Sequence, residues 1–236
     1  MFIPLSAGQR AYTRFPLATA VIVMVNGLVY LWQTYLYFWV DPVTSYIAIW
    51  EWGFNPYLII AQLGHRGLTI FTSMYLHGSF EHIFFNMLFL CVFGPLVEDL
   101  TGVTGFLIFY HLSGVTGTAL TLLLDPGQAV PSIGASGAIA GVMGAFLLLY
   151  PGRRIRTLVF IILPLFPRLP AWALLIYWIL QEIVLGELIL ARGYNFTGVG
   201  VWAHIGGFFG GLVLIYFFLR KEVMFNRESA LQFVRH

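Results

Sequence analysis

The sequence predicts an all-α polytopic membrane protein, a bundle of six transmembrane helices, and three observations support that fold class. Hydrophobic residues make up 59% of the 236 residues and charged residues only 9%, whereas soluble domains carry about 25% charged residues. The mean hydropathy is +0.85. Apolar runs of about 20 residues, the length that crosses a bilayer, recur along the chain. So few polar side chains cannot cover a water-exposed surface, and the bilayer is therefore the solvent of this protein.

Six apolar runs are the predicted spans, and we expect them to form a single membrane domain over residues 1–236. The second and fourth runs are short, which is tolerated where helix ends are buried in protein or line a water-filled cavity. The predicted spans, in chain order, are residues 15–38, 82–97, 104–124, 134–150, 169–189 and 199–219.

The segments outside the spans are a flank at residues 1–14, a long loop at residues 39–81 and a tail at residues 220–236. The long loop is aromatic and apolar but too interrupted to cross. Its tryptophan and tyrosine rings suit the headgroup level, so we expect this loop to dip into the outer leaflet. Residues 157–167 are apolar but broken by two prolines, and we expect an interfacial or re-entrant piece there.

The distribution of lysine and arginine predicts the orientation, because these residues concentrate in cytoplasmic loops. With the N-terminus inside, ten of the twelve basic residues lie on the cytoplasmic side and only Arg66 and Arg192 lie outside. We therefore expect a multi-pass protein of a prokaryotic plasma or inner membrane, with both termini in the cytoplasm. The ten predicted inside residues are Arg10, Arg14, Arg153, Arg154, Arg156, Arg168, Arg220, Lys221, Arg227 and Arg235.

Several functional classes fit the sequence poorly. A formal charge of +2 with no basic face argues against a nucleic-acid partner. Neither H-E-x-x-H nor its inverted form is present, and no cluster of metal ligands is evident, so we expect no metal and no cofactor. Aspartyl chemistry inside the membrane needs two carboxylates from the spans. The only candidates are Glu182 and Glu187, and both are in the fifth span.

Polar residues lie near the beginnings of the second, fourth and sixth spans, which all begin on the outer side. In the second span, His82 and Asn86 are four residues apart and project from one face of the helix. Each is a functional candidate, because polar groups in a span are costly. The alternative is an interhelical hydrogen bond, worth about 0.6–2 kcal/mol.

The fourth span begins with "IGASGAIAGVMGA", which combines one serine with small residues. Gly137 and Gly141 form a stripe at helical spacing that lets another helix approach closely, and Gly134 precedes it. Ser136 lies beside the stripe at the start of the helix. It is either a capping or packing residue or a reactive one.

The sixth span carries "VWAHIGGFFGG", in which His204, Gly207 and Gly211 follow an i, i+3, i+7 pattern. A histidine on a glycine face is held against a neighbouring helix, either as a satisfied core residue or as a base. A serine becomes a useful nucleophile when a base lies within hydrogen-bond reach. Together with the imidazole and amide of the second span and the backbone N–H of Ser136 as oxyanion donors, these spans make acyl transfer plausible.

The segments "HGSFEHIFFNMLFL", "GPLVEDLTG", "IGASGAIAGVMGA" and "WAHIGGFFGG" together resemble the rhomboid family of intramembrane serine proteases, over about residues 63–215. The resemblance implies a rhomboid-like bundle in which Ser136 is the nucleophile and His204 the general base. It implies a dyad, and no Asp or Glu of the sequence is evidently placed to complete a triad. His82 and Asn86 match the oxyanion-stabilising pair, and Glu98 matches an acidic residue with a structural role.

The resemblance also implies a function: an intramembrane serine endopeptidase that hydrolyses peptide bonds in or near transmembrane segments of other membrane proteins, with no cofactor. Its partners would be transmembrane protein substrates and the lipid bilayer. The alternative is a non-catalytic rhomboid-like protein that binds transmembrane clients. One position departs from part of the family, because Ala140 stands where some members stack an aromatic ring on the histidine, and what orients the imidazole is left open.

Overall fold

The computed structural model describes residues 2–8, 14–62, 66–128, 130–160, 163–192 and 200–220. The predicted tail lies outside the described residues except for Arg220, as do residues 1 and 9–13 of the N-terminal flank and residues 63–65 of the long loop. The described chain is mainly helical, with one small sheet, so the predicted helical membrane class is confirmed.

Six helices correspond to the six predicted spans. Five of them are long and apolar enough to cross a membrane. The remaining one, Ser136–Leu149, corresponds to the fourth span and is a shorter apolar helix of 14 residues. A π-helical segment, Leu36–Val40, prolongs α1. The span helices are α1 (Leu17–Tyr35), α5 (Phe80–Thr101), α6 (Val103–Leu124), α7 (Ser136–Leu149), α8 (Ala171–Arg192) and α9 (Val201–Phe218).

The prediction of a short second span is wrong. Helix α5 has 22 residues, because it begins two residues before the predicted span, at Phe80, and continues four residues beyond it, to Thr101, with Pro95 inside the helix. Proline removes one backbone donor, and in a membrane helix neighbouring groups can satisfy the carbonyl that it frees. The fourth span is short as predicted.

The described residues of the long loop form three short α-helices, α2 (Pro42–Trp52), α3 (Pro56–Ala61) and α4 (Thr69–Thr72), and a 3-10 turn at Ser73–Tyr75. Asp41 and Asn55 cap the first two, each accepting a hydrogen bond from a backbone N–H three residues on. Each cap is followed by proline at the first helical position, where its fixed φ suits the helix and no N–H is needed.

A four-stranded sheet occupies the region between α7 and α8, where we expected an interfacial or re-entrant segment. The strands are β1 (Phe2–Ser6), β2 (Arg154–Phe160), β3 (Pro164–Leu165) and β4 (Arg168–Pro170), and β2 pairs antiparallel with the other three. The two prolines therefore accompany β-structure, which the apolar pattern did not predict. The partner of β2 is the strand at the N-terminus, so the sequence around β2 alone cannot predict this pairing.

Helix α7 lies at the centre of the bundle. Every residue from 137 to 146 is buried, and the helix contacts α5, α6, α8 and α9. Its glycines meet those of α9 directly: a Cβ on Gly207 would overlap the carbonyl oxygen of Gly137, and one on Gly211 would overlap that of Gly141. The two helices therefore pack closely at these glycines.

Glu98 has the structural role that the resemblance implies. Its carboxylate accepts hydrogen bonds from the backbone N–H groups of Ala18 and Thr19, at 2.8 Å each, and from the Thr19 hydroxyl at 2.8 Å. These donors lie in the first turn of α1, where unpaired N–H groups favour a negative charge. The buried carboxylate thus ties α5 to the beginning of α1.

Candidate active site

Ser136 and His204 meet in the structure. The Oγ atom of Ser136 lies 2.8 Å from Nε2 of His204, within hydrogen-bond distance. Ser136 is the first residue of α7 but does not cap it, because Ala135 occupies the N-cap position and no side chain caps this helix. The hydroxyl is therefore directed to the imidazole of α9, and the capping interpretation of Ser136 is wrong.

The glycine contacts explain this proximity. His204 lies one turn before Gly207 on α9, and Ser136 immediately precedes Gly137 on α7. The two glycines bring the helix backbones into direct contact, which places the two polar side chains at the shared edge of the contact. Close approach of the backbones is what small residues permit at helix interfaces in membranes.

A carboxylate lies on the other side of the imidazole, which corrects the expectation that no acidic residue is placed to complete a triad. Oε2 of Glu182 lies 3.0 Å from Nδ1 of His204, and the side chains of both residues are largely buried, with 13% and 12% exposed. The sequence shows that Glu182 is in the fifth span. It does not show which face of that helix meets the sixth.

Trp178 lies beside the same imidazole. The centroids of the two rings are 5.8 Å apart and the ring planes are inclined by 41°. Ala140, the position at which some rhomboids carry an aromatic residue, is buried in α7. The aromatic neighbour of His204 therefore comes from α8 instead, one turn before Glu182.

His82 and Asn86 line the same cavity as Ser136 and His204, a space of about 1000 Å³. Ser79 is the N-cap of α5, and its Oγ accepts a hydrogen bond from the backbone N–H of His82, which fixes the first turn of the helix. The Nδ2 donor of Asn86 is buried, and no acceptor for it is present among the described residues. The helix thus presents two side chains with N–H groups to the cavity.

Gly134 packs against this pair. It has φ +119°, a conformation that residues with side chains rarely adopt. A Cβ at this position would lie 2.7 Å from Nε2 of His82 and 3.6 Å from Nδ2 of Asn86. The loop before α7 can therefore approach both side chains only because residue 134 is glycine.

The segment before α5 is held by paired hydrogen bonds to α1. The Gln33 side chain accepts from the His77 backbone N–H at 3.0 Å and donates to the His77 carbonyl at 3.2 Å. The His77 ring is 2% exposed. Burial, and to a smaller extent the nearby His82 ring, lower the pKa of His77 to about 3, so His77 is neutral at physiological pH.

This arrangement has the components of acyl-transfer chemistry: a hydroxyl, an imidazole, and N–H donors around one water-accessible space. The described residues include no group of three or more His, Cys, Asp or Glu side chains that could hold a metal ion. The fold and the site together define a class, a polytopic membrane protein with a serine and a histidine paired between two glycine-packed helices.

The chain belongs to the rhomboid family, because the rhomboid domain matches residues 64–221. It is 33% identical to YdcA of Bacillus subtilis over 112 residues, which are 46% of this chain and 48% of that protein. It is 30% identical to the mitochondrial Rhomboid protein 1 of Saccharomyces cerevisiae over 176 residues, 70% of this chain and 45% of that protein. It is 30% identical to the rhomboid protease GluP of Bacillus subtilis over 142 residues, 60% of this chain and 24% of that protein. The matched region thus spans less than half of these curated relatives.

Two neighbours of the candidate site were not predicted from the sequence: Glu182 as a partner of His204, and Trp178 as its aromatic contact. A signal was present, since a carboxylate in an apolar span is a functional hypothesis by default. Trp178 and Glu182 are also four residues apart, on one helical face. If this face is assigned to the contact with the sixth span, Trp178 and Glu182 are both predicted to be neighbours of His204.

Proposed function

We propose that this chain is a serine endopeptidase of the membrane interior, which hydrolyses peptide bonds in or near transmembrane segments of other proteins. The observation that carries the proposal is the 2.8 Å distance between Ser136 Oγ and His204 Nε2. A serine hydroxyl is a weak nucleophile until a base accepts its proton, and this distance is within the reach that such activation requires.

In the proposed acylation step, His204 Nε2 takes the hydroxyl proton while Ser136 Oγ forms a bond to the scissile carbonyl carbon. The carbonyl π electrons move to oxygen, giving a tetrahedral oxyanion. Collapse of this intermediate breaks the C–N bond, and the leaving amine takes the proton from His204. Water then repeats the sequence on the acyl-enzyme, with His204 again accepting and returning the proton, and releases the second product.

We assign the oxyanion donors to His82, Asn86 and the backbone N–H of Ser136. Support comes from the shared cavity, the unpartnered amide of Asn86, and the position of Ser136 at the start of α7. The first N–H groups of a helix have no intrahelical acceptor and favour a negative charge. Pre-oriented donors of this kind are commonly the largest single contribution to catalysis of acyl transfer.

We further propose that the site lies near the outer surface of a cell membrane and that both termini are cytoplasmic. Ser136 begins α7, whereas Arg153 and Arg154 follow its end. A helix of 14 residues is about 20 Å long, so the basic residues lie at the end of the helix opposite Ser136. Basic residues favour the cytoplasmic side.

The test is cleavage of a single-span reporter in proteoliposomes. The reporter carries glycines near its outer end, because a helical substrate must unwind to expose its carbonyls. The wild type is expected to cleave it, and Ser136→Ala is expected to lose several powers of ten in turnover.

Ser132→Ala is the matched control, because Ser132 lines the same cavity and contacts Gln128 rather than the histidine. This variant should retain turnover within a few fold. Turnover by Ser136→Ala at the wild-type rate would defeat the proposal. A wild type that binds the reporter without cleaving it would favour the client-binding alternative.

A further inference from the structure

The carboxylate of Glu182 stands behind the base of the proposed dyad. It lies 3.0 Å from Nδ1 of His204, while Nε2 of the same ring faces Ser136. The cavity is lined by Ser136 and His204, whereas Glu182 is not among its lining residues. Glu182 therefore contacts the histidine and does not contact the space that a substrate would fill.

Helix α8 faces mostly outward, but it directs the Glu182 carboxylate toward the interior of the bundle. Only 28% of its most apolar 18-residue window is buried, so most of the helix faces outward. Trp178, Glu182 and Gly186 nevertheless follow each other at intervals of four, on one face directed to α9. A Cβ on Gly186 would lie 2.8 Å from the Trp202 ring, so close packing of α8 on α9 one turn beyond Glu182 holds the carboxylate in place.

We propose that Glu182 completes a Ser136–His204–Glu182 triad as a positioning residue, an inference that rests on the proposed function. An ionised carboxylate only accepts hydrogen bonds, so its contact requires the hydrogen of the neutral imidazole to be on Nδ1. Nε2 is then left with its lone pair directed at the Ser136 hydroxyl. Glu182 thus selects the tautomer and ring orientation in which His204 accepts the proton of Ser136.

Glu182 also faces the charge that forms during acylation. When His204 takes the proton, the ring becomes an imidazolium between the carboxylate and the developing oxyanion. A carboxylate in this position stabilises the cation without accepting its proton. The Trp178 ring, 5.8 Å from the imidazole, adds the attraction of an aromatic face for a cation.

The competing interpretation is that Glu182 is only a polar contact between two helices. Both interpretations predict some loss of stability on mutation, so stability does not separate them. Only the triad predicts that the loss falls on kcat rather than KM, that it vanishes when His204 is absent, and that His204 carries its hydrogen on Nδ1.

The kinetic experiment compares Glu182→Gln with Glu187→Gln in the reporter assay. Glu187 is an exposed glutamate on the same helix and serves as the matched control. Glu182→Gln keeps the volume and removes the charge, and we expect kcat to fall by about 10²–10⁴ with KM changed little. Glu182→Asp, which keeps the charge, should recover part of the loss, and Glu187→Gln should match the wild type.

A double variant tests whether Glu182 acts through the histidine. In a His204→Ala background, adding Glu182→Gln should reduce the residual turnover no further, because residues that act as one unit are strongly non-additive. A full additional loss in this background would overturn the triad.

A measurement on the wild type keeps the proposal testable if Glu182 variants do not fold. Nitrogen NMR of the ¹⁵N-histidine-labelled protein in detergent distinguishes the two neutral tautomers, and His204→Ala assigns the His204 signals among the six histidines. Hydrogen on Nδ1 is expected; hydrogen on Nε2 would overturn the triad.

Unchanged kcat in Glu182→Gln would also overturn the triad while leaving the proposed protease function intact. Turnover by Ser136→Ala, in contrast, would defeat the proposed function itself.

Discussion

At the residue scale, the position of a few atoms around His204 determines what the site can do. The serine and histidine could be recognised in the sequence because each lies in a motif with small residues at helical spacing. The contact of Glu182 with His204 could not, because the sequence does not show which face of α8 meets α9, and the two residues are 22 positions apart. Local periodicity indicates that a carboxylate is in a span, but only packing indicates what it faces.

Asn86 provides a prediction at this scale. Replacing it with alanine should lower kcat by about 10–10³, the range found when one oxyanion donor is removed, with little change in KM or thermal stability. The physical reason is that the buried Nδ2 group, which has no described acceptor, is free to donate to an oxyanion.

Asn86→Leu is the matched control, because leucine keeps the branched shape of asparagine at Cγ but has no donor. Both variants should be slow if the N–H group matters. Wild-type turnover by the leucine variant would show that Asn86 fills space, and an unfolded alanine variant would favour the interhelical hydrogen bond.

At the element scale, the glycine contacts between α7 and α9 hold the side chains of Ser136 and His204 together. The helices and their approximate bounds followed from hydropathy, because a bilayer forces each span to satisfy its own backbone. The sheet did not, because residues 156–159 pair with a strand at the N-terminus of the chain. Such a pairing has no local signal, and an apolar segment broken by two prolines is equally consistent with an interfacial segment.

Gly207→Ala should therefore both destabilise the fold and reduce turnover. The added methyl group would overlap the carbonyl oxygen of Gly137, and a backbone atom cannot move aside as a flexible side chain can. Overpacking of this kind costs about 1–3 kcal/mol and would separate His204 from Ser136. The measurements are thermal unfolding in detergent and reporter cleavage.

Gly27→Ala is the control, because a Cβ at Gly27 in α1 would have nothing within 4 Å. This variant should unfold at or above the wild-type temperature and cleave normally. If Gly207→Ala were as stable and active as Gly27→Ala, the two helices would not depend on this contact.

At the scale of the whole molecule, a short central helix surrounded by longer ones opens a cavity beside Ser136. Under the proposed function, the cavity of about 1000 Å³ would give water and an unwound segment of substrate a place to meet the hydroxyl. Elsewhere in the bundle, the carboxylate of Glu98 fixes α1 against α5. The composition predicted a polytopic bundle, and the motifs predicted which helices carry polar side chains. The positions of those side chains relative to one another required the structure.

The central claim is that Ser136 is a nucleophile activated by His204, and fluorophosphonate labelling in detergent tests it most directly. Attack by Ser136 Oγ on phosphorus would form a P–O bond and release fluoride, and mass spectrometry locates the adduct. We predict a single adduct on Ser136 in the wild type, none in Ser136→Ala, and strongly slowed labelling in His204→Ala. Labelling of Ser136→Ala at the wild-type rate, or an adduct on another residue, would contradict the account.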